Sequence, residues 1–220
     1  MLRTLRGEIT DQIPVTPHWW GLYKFEYAGL IQNYDKAREA WNMNGEQLAK
    51  IDSGFYESFR PDMLHLTVGG SRIEKTEAEK REKKRLFNAV HKLESYAVID
   101  EYVEAVFPSR KDVLQRGIFD HIDILSQKYG RETVLMYNEG NPISWILDPY
   151  GCLGFENGLI ALLEKPDMVE YLLYKSYRAL KPMMQVLKEM GADGYIGSET
   201  YCTPDIISVL THLAIKLLVT

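Results

Sequence analysis

The sequence predicts an α/β fold built on a parallel sheet, and three observations carry that expectation. The stretch 133–208 reads strand, turn, long helix, Gly-Ala-Asp, strand and polar loop. A strand, a helical crossover and a second strand make a parallel βαβ unit. Elsewhere, short β-favouring runs alternate with amphipathic helical runs, the order expected of a parallel sheet covered by helices. Finally, both strands of the 133–208 stretch end on polar residues, Asn138-Glu139 and Glu199-Thr200-Tyr201-Cys202. In (β/α) barrels the chemistry sits at that C-terminal end of the strands.

The run 13–16 (Ile-Pro-Val-Thr) is expected to be the first strand. An aromatic loop over 18–25 follows, carrying His18, Trp19, Trp20, Tyr23 and Lys24. Residues 33–50 read as a helix with Trp41, Leu48 and Ile51 on its apolar face. Pro61-Asp62 introduces a strand over 63–68, closed by Gly69-Gly70. Residues 74–96 form a charged amphipathic helix, since Leu86, Val90 and Leu93 recur at four and three residues. The run 102–107 reads as a short strand or a turn.

Residues 112–129 read as one helix with Val113, Ile118, Ile122 and Leu125 as its stripe, and Gly130 as its C-cap. The strand 133–137 leads into the turn Asn138-Glu139-Gly140-Asn141-Pro142. After an aromatic and proline loop, 151–163 reads as a short helix. The long helix 166–190 opens on Pro166, which the first turn tolerates. Pro182 lies inside it and is expected to kink or split it. Gly191 closes that helix, and the last strand is 194–197.

A length of 220 residues accommodates one large domain or two small ones, and one domain over 1–220 is the expectation. The net charge of −5 argues against a nucleic-acid partner. The basic run 80–85 is interleaved with Glu77, Glu79 and Glu82 and reads as a solvated helix face. Two cysteines, Cys152 and Cys202, make no disulfide framework. Residues 1–13 are polar and mixed in charge, unlike a secretory signal. The apolar run 206–219 is short and contains His212 and Lys216, whereas a membrane span needs about 20 apolar residues. A reducing, cytoplasmic location without membrane contact is the expectation.

Four segments, in this order and spacing, resemble the uroporphyrinogen decarboxylase superfamily. They are Leu5-Arg-Gly-Glu-Ile-Thr-Asp-Gln-Ile-Pro-Val15, Gly140-Asn-Pro142, Gly154-Phe-Glu-Asn-Gly-Leu-Ile-Ala-Leu-Leu-Glu-Lys-Pro166 and Gly191-Ala-Asp-Gly-Tyr-Ile196. That superfamily includes the decarboxylase and the zinc-dependent methyltransferases that act on corrinoid proteins or coenzyme M. The resemblance implies a partial (β/α)8 TIM barrel, roughly its first half. Strands are expected near Ile13, Met63, Thr133 and Gly194. The chain reads as truncated after the fourth, because the family continues where this sequence stops. A half barrel leaves sheet edges open, so dimerisation, aggregation or poor stability is expected, with pairing to another chain as a rival reading.

A tetrapyrrole decarboxylase needs cationic side chains converging on carboxylates, preferably arginines. The family places two arginines in the loop after the first strand. Here that loop, 18–29, holds only Lys24. The family's decarboxylases also carry an Asp after the next strand, where this chain reads Leu66-Thr-Val-Gly-Gly70. Both departures favour the methyltransferase-like branch over uroporphyrinogen decarboxylation, with an inactive half barrel as a third alternative. Zinc turns a thiol into a thiolate in that branch, through ligands resembling His-x-Cys plus a distant Cys. No His-x-Cys occurs here. Those ligands lie late in the barrel, so their absence here decides nothing; no metal ligand and no cofactor is assigned to this chain, and zinc could serve a full-length relative.

The candidate catalytic residues are Glu199, Glu139 and His65. The two glutamates occupy strand ends, where a carboxylate serves as general base, substrate hydrogen-bond acceptor or metal ligand. Candidate substrate contacts are His18, Trp19, Trp20, Tyr23, Lys24, Asn138, Tyr201 and Cys202. The aromatic group makes an apolar wall with polar tips for a flat or methylated small molecule, or else a core plug. Cys202 is either a thiol contact or a small buried residue. Cys152 reads as structural. His91 and His121 read as surface residues, and Tyr171, Tyr174 and Tyr177 as helix packing. A small-molecule substrate and a corrinoid protein are the expected partners.

Overall fold

The computed structural model describes residues 2–8, 14, 21–29, 43–67, 69–73, 76–140, 142–148 and 151–198. Of the expected first strand at 13–16, all but Pro14 lies outside them. So do His18, Trp19, Trp20, Glu199, Tyr201 and Cys202. In chain order the elements are α1 (Leu2–Leu5), α2 (Gly21–Tyr27), α3 (Gly45–Phe59), β1 (Met63–Leu66), α4 (Glu77–His91), α5 (Tyr96–Val106), α6 (Arg110–Arg116), α7 (Asp120–Tyr129), β2 (Val134–Gly140), α8 (Pro142–Leu147), α9 (Phe155–Glu164), α10 (Pro166–Glu189) and β3 (Gly194–Ser198). Among the described residues the result is a helix-rich α/β arrangement with one three-stranded sheet, ordered β1-β2-β3. No helix among the described residues is long and apolar enough to cross a membrane.

The chain divides into two compact units. The first comprises Met1–Glu74, Arg110–Glu139 and Met184–Ile196. It holds the sheet, with β1 and β2 parallel and His65 level with Met136, Leu66 with Tyr137. β3 joins through Asp193. Its N–H donates to Leu135 O at 2.8 Å, and its carboxylate accepts from Leu135 N at 2.8 Å. A side chain thus completes the first rung of the β2–β3 pairing, which accounts for the Asp of the Gly-Ala-Asp motif.

α3 is fixed at its start by a capping box between Asn44 and Gln47, which satisfies two otherwise orphaned donors. It buries Leu48, Ala49, Asp52, Phe55 and Tyr56, a stripe at helical spacing. α7 buries His121, Ile122, Leu125 and Tyr129. The two helices pack together, with Tyr56 and Tyr129 ring centroids 4.6 Å apart. Glu57 accepts from the Tyr129 hydroxyl at 2.6 Å and from Lys128 at 2.8 Å.

The second unit comprises Lys75–Ser109, Gly140–Met183 and Gly197–Thr220. Its core gathers Val90, Ile99, Leu147, Leu153, Leu172 and their neighbours. Thr76 and Glu79 form a capping box on α4, and Ser95 caps α5. Cys152 is buried, and its carbonyl lies 3.1 Å from the His91 ring. The basic run of α4 is solvated, its charges answered by pairs such as Lys80–Glu77 and Arg85–Glu82.

Several local expectations are corrected. The aromatic loop is helical from Gly21, as α2. The helix expected to end at Lys50 continues to Phe59, because its apolar stripe continues through Phe55 and Tyr56. The 74–96 helix is two helices, α4 and the start of α5, separated by Leu93 at φ 47. Residues 102–107 are mostly helical, not extended. Ile99, Tyr102 and Val103 share one buried face of α5. The 112–129 helix is broken into α6 and α7, where Gly117 adopts φ 63. That left-handed conformation suits glycine. β2 runs on through Asn138 and Glu139 to Gly140, so those residues end the strand and do not follow it. Pro182 does not interrupt α10, but the boundary between the compact units falls between Met183 and Met184.

Candidate functional site

The first unit buries four polar side chains around the end of β1: Lys24, Asp52, His65 and His121. α2 supplies Lys24, α3 supplies Asp52, β1 supplies His65 and α7 supplies His121. Lys24 Nζ lies 2.5 Å from Asp52 Oδ1 and also donates to the His65 carbonyl oxygen. The two side chains are 4% and 7% exposed. An ammonium removed from water survives only with such partners.

His121 is fully buried. Burial pushes its pKa down and the Lys24 charge adds to this, while Asp52, the Thr67 backbone and Asp120 pull the other way. The Thr67 contact falls short of a full hydrogen bond, since neither ring nitrogen makes one among the described residues. The imidazole is therefore neutral near neutral pH, able to accept a proton in a dry setting. Gly69 makes this closeness possible. A Cβ there would sit 2.8 Å from the Ile118 carbonyl oxygen and 3.5 Å from His121 Nδ1. Gly69 N–H donates to that same Ile118 oxygen at 3.0 Å.

The structure thus brings Lys24 and His65 of the expected site together, both buried. Lys24 faces inward to Asp52. Tyr23, the preceding residue of α2, is 54% exposed. Asn138 is half-buried near the end of β2, and Glu139 follows it in the strand.

The surface assignment of His121 is overturned. The signal lay in its spacing, because 121, 125 and 129 repeat every fourth residue on the face that also carries Ile122. Asp52 was missed altogether. It lies four residues after Leu48 and four before Tyr56, and a carboxylate on such a stripe is rarely buried unless paired. His91, by contrast, is exposed as expected.

Among the described residues no three His, Cys, Asp or Glu side chains converge to hold a metal ion. No known family profile matches this sequence, and no curated protein is similar to it in sequence. A solved methyltransferase from Methanosarcina mazei is similar in structure, with a TM-score of 0.60 and 18% sequence identity. The match covers 97% of this chain and 61% of that one. At that identity the likeness is one of fold, and this chain spans less than two thirds of the methyltransferase's length.

Proposed function

We propose that this chain is the opening half of a (β/α)8 barrel of the uroporphyrinogen decarboxylase superfamily, in its methyltransferase-like branch. The whole protein would move a methyl group between a small methylated compound, a corrinoid protein and a thiol, in the cytoplasm. The observation that carries this reading is the likeness to a methyltransferase along 97% of the chain. The ordered sequence motifs named above support it independently.

The geometry of Lys24 favours methyl transfer over tetrapyrrole decarboxylation. Lys24 is the single Lys or Arg of the 18–29 segment, and Asp52 already neutralises it in a buried pair. It is thereby removed from the clamp that a polycarboxylate would require. Glu139 and Glu199 are assigned as general bases, with His65 as a second acid–base group. Asn138, Tyr23, His18, Trp19, Trp20, Tyr201 and Cys202 are assigned to the substrate wall. In the zinc-dependent relatives the metal would activate the thiol. The described residues do not fit that group, so no zinc centre is assigned to them. A second copy or a further chain segment would close the sheet edges.

The test uses the purified full-length protein with methylcobalamin and a thiol, reading methylated thiol by mass spectrometry. Transfer is expected, and loss of a general base in Glu139→Gln should lower it by about 100-fold. Absent methyl transfer combined with carbon dioxide release from uroporphyrinogen would overturn the reading in favour of the decarboxylase. Absence of both activities would leave the inactive half barrel.

A further inference from the structure

The second unit carries a wide-open surface cavity of about 550 Å³ lined by Tyr96, Asp167, Glu170, Tyr171 and Tyr174. Its walls are three phenol rings and two carboxylates. Tyr96 and Tyr171 meet edge to face, with centroids 4.9 Å apart and planes at 81°. The Tyr171 hydroxyl donates to Asp100 at 3.0 Å, and Lys175 pairs with the same carboxylate at 2.6 Å. These bonds hold Tyr171 in place. Tyr96 and Tyr174 remain substantially exposed, at 48% and 43%. No ion pair engages Asp167 or Glu170 among the described residues.

We infer that this cavity binds a small organic cation of the quaternary or methylated ammonium class. The face of an aromatic ring attracts a cation through its quadrupole, and several rings around one cation make a cage. The two carboxylates add negative charge at the same place; no Lys or Arg is among the lining residues, and Lys175 and Arg178 stand over two of the rings. The rings already display this affinity toward the protein's own side chains. Lys175 Nζ sits 5.6 Å from the Tyr171 centroid, and the Arg178 guanidinium 5.7 Å from that of Tyr174. Neither of those cations lines the cavity. A methylated ammonium suits such a wall better than a metal ion, because its methyl groups give apolar contact with the rings while its charge stays diffuse. The site lies wholly within the second unit, so it stands or falls apart from the methyl-transfer reading.

The experiment titrates the full chain with tetramethylammonium chloride, and separately with neopentyl alcohol, a neutral compound of similar shape. Binding is read by saturation-transfer NMR. Tetramethylammonium is expected to bind, and neopentyl alcohol to bind about 2- to 30-fold more weakly. Tyr174→Leu keeps an apolar surface and should lose affinity over the same range, whereas Tyr174→Phe should retain it. Asp167→Asn with Glu170→Gln should weaken binding further. Equal binding of the neutral compound would overturn the inference, as would unchanged affinity in Tyr174→Leu. Failure of the wild-type chain to bind tetramethylammonium would overturn it outright.

Discussion

Replacing Asp52 by alanine would strand the Lys24 ammonium in the core of the first unit. The pair is 2.5 Å long and its side chains are 4% and 7% exposed. After the substitution, only the His65 carbonyl remains among the hydrogen-bond partners described for Lys24 Nζ. Removing one partner of a buried ion pair typically costs about 3–5 kcal/mol, because the other charge stays buried and uncompensated. Against a total stability of roughly 5–15 kcal/mol, that is between about a fifth and the whole of the margin. Lys24→Met should cost a comparable amount by leaving the Asp52 carboxylate alone. The double substitution Lys24→Met with Asp52→Leu removes both charges and should cost far less than the sum of the singles. A coupling of about 2 kcal/mol or more is expected between neighbours of this kind. Urea unfolding of the four proteins at pH 7 provides the free energies, and repeating it in 1 M salt separates a buried pair from a screened one. An Asp52→Ala cost under about 1 kcal/mol, the range of exposed pairs, would refute the reasoning.

Burial lowers the pKa of His121 below 6.5, so the unfolded chain takes up the proton first as the pH falls. The native state therefore keeps its full advantage above pH 6.5 and loses it as the pH falls toward the folded pKa, at up to about 1.4 kcal/mol per pH unit. Urea midpoints from pH 7.5 to 5.0 should show that slope, flattened in His121→Leu; equal slopes in both proteins would contradict it. Asp193→Ala should cost about 1–2 kcal/mol by orphaning the Leu135 N–H. Asp193→Asn should retain most of the bond, and hydrogen exchange at Leu135 distinguishes the two. Burial pushes the Cys152 thiol up to about 11. At pH 8 its alkylation by iodoacetamide should be far slower in the native chain than in urea, as peptide mass mapping would reveal.

The strands near Met63, Thr133 and Gly194 were legible because short β-favouring runs stand between Pro, Gly and polar breakers. The helix at Glu77 was legible because Leu86, Val90 and Leu93 recur at helical spacing, and the one at Pro166 because Pro166 and Gly191 mark its ends. Boundaries were less so. Whether α5 was helix or strand depended on which face of Ile99, Tyr102 and Val103 found a core, and the second unit supplies that core. The break at Gly117 depended on a backbone conformation that glycine permits but does not require.

Local periodicity within this one sequence therefore determined the alternation of strand and helix and the polar character of the strand ends. The family resemblance drew attention to Lys24, and a place inside a β-favouring run drew it to His65. Only the tertiary structure joined those two to Asp52 and His121, 28 residues beyond Lys24 and 56 beyond His65 respectively. A charged side chain reads as a surface group when taken alone. Its desolvation becomes tolerable only when folding delivers an opposite charge from a distant segment. That pairing is a property of the packed helices and the β1 end, and no local window of the chain contains it.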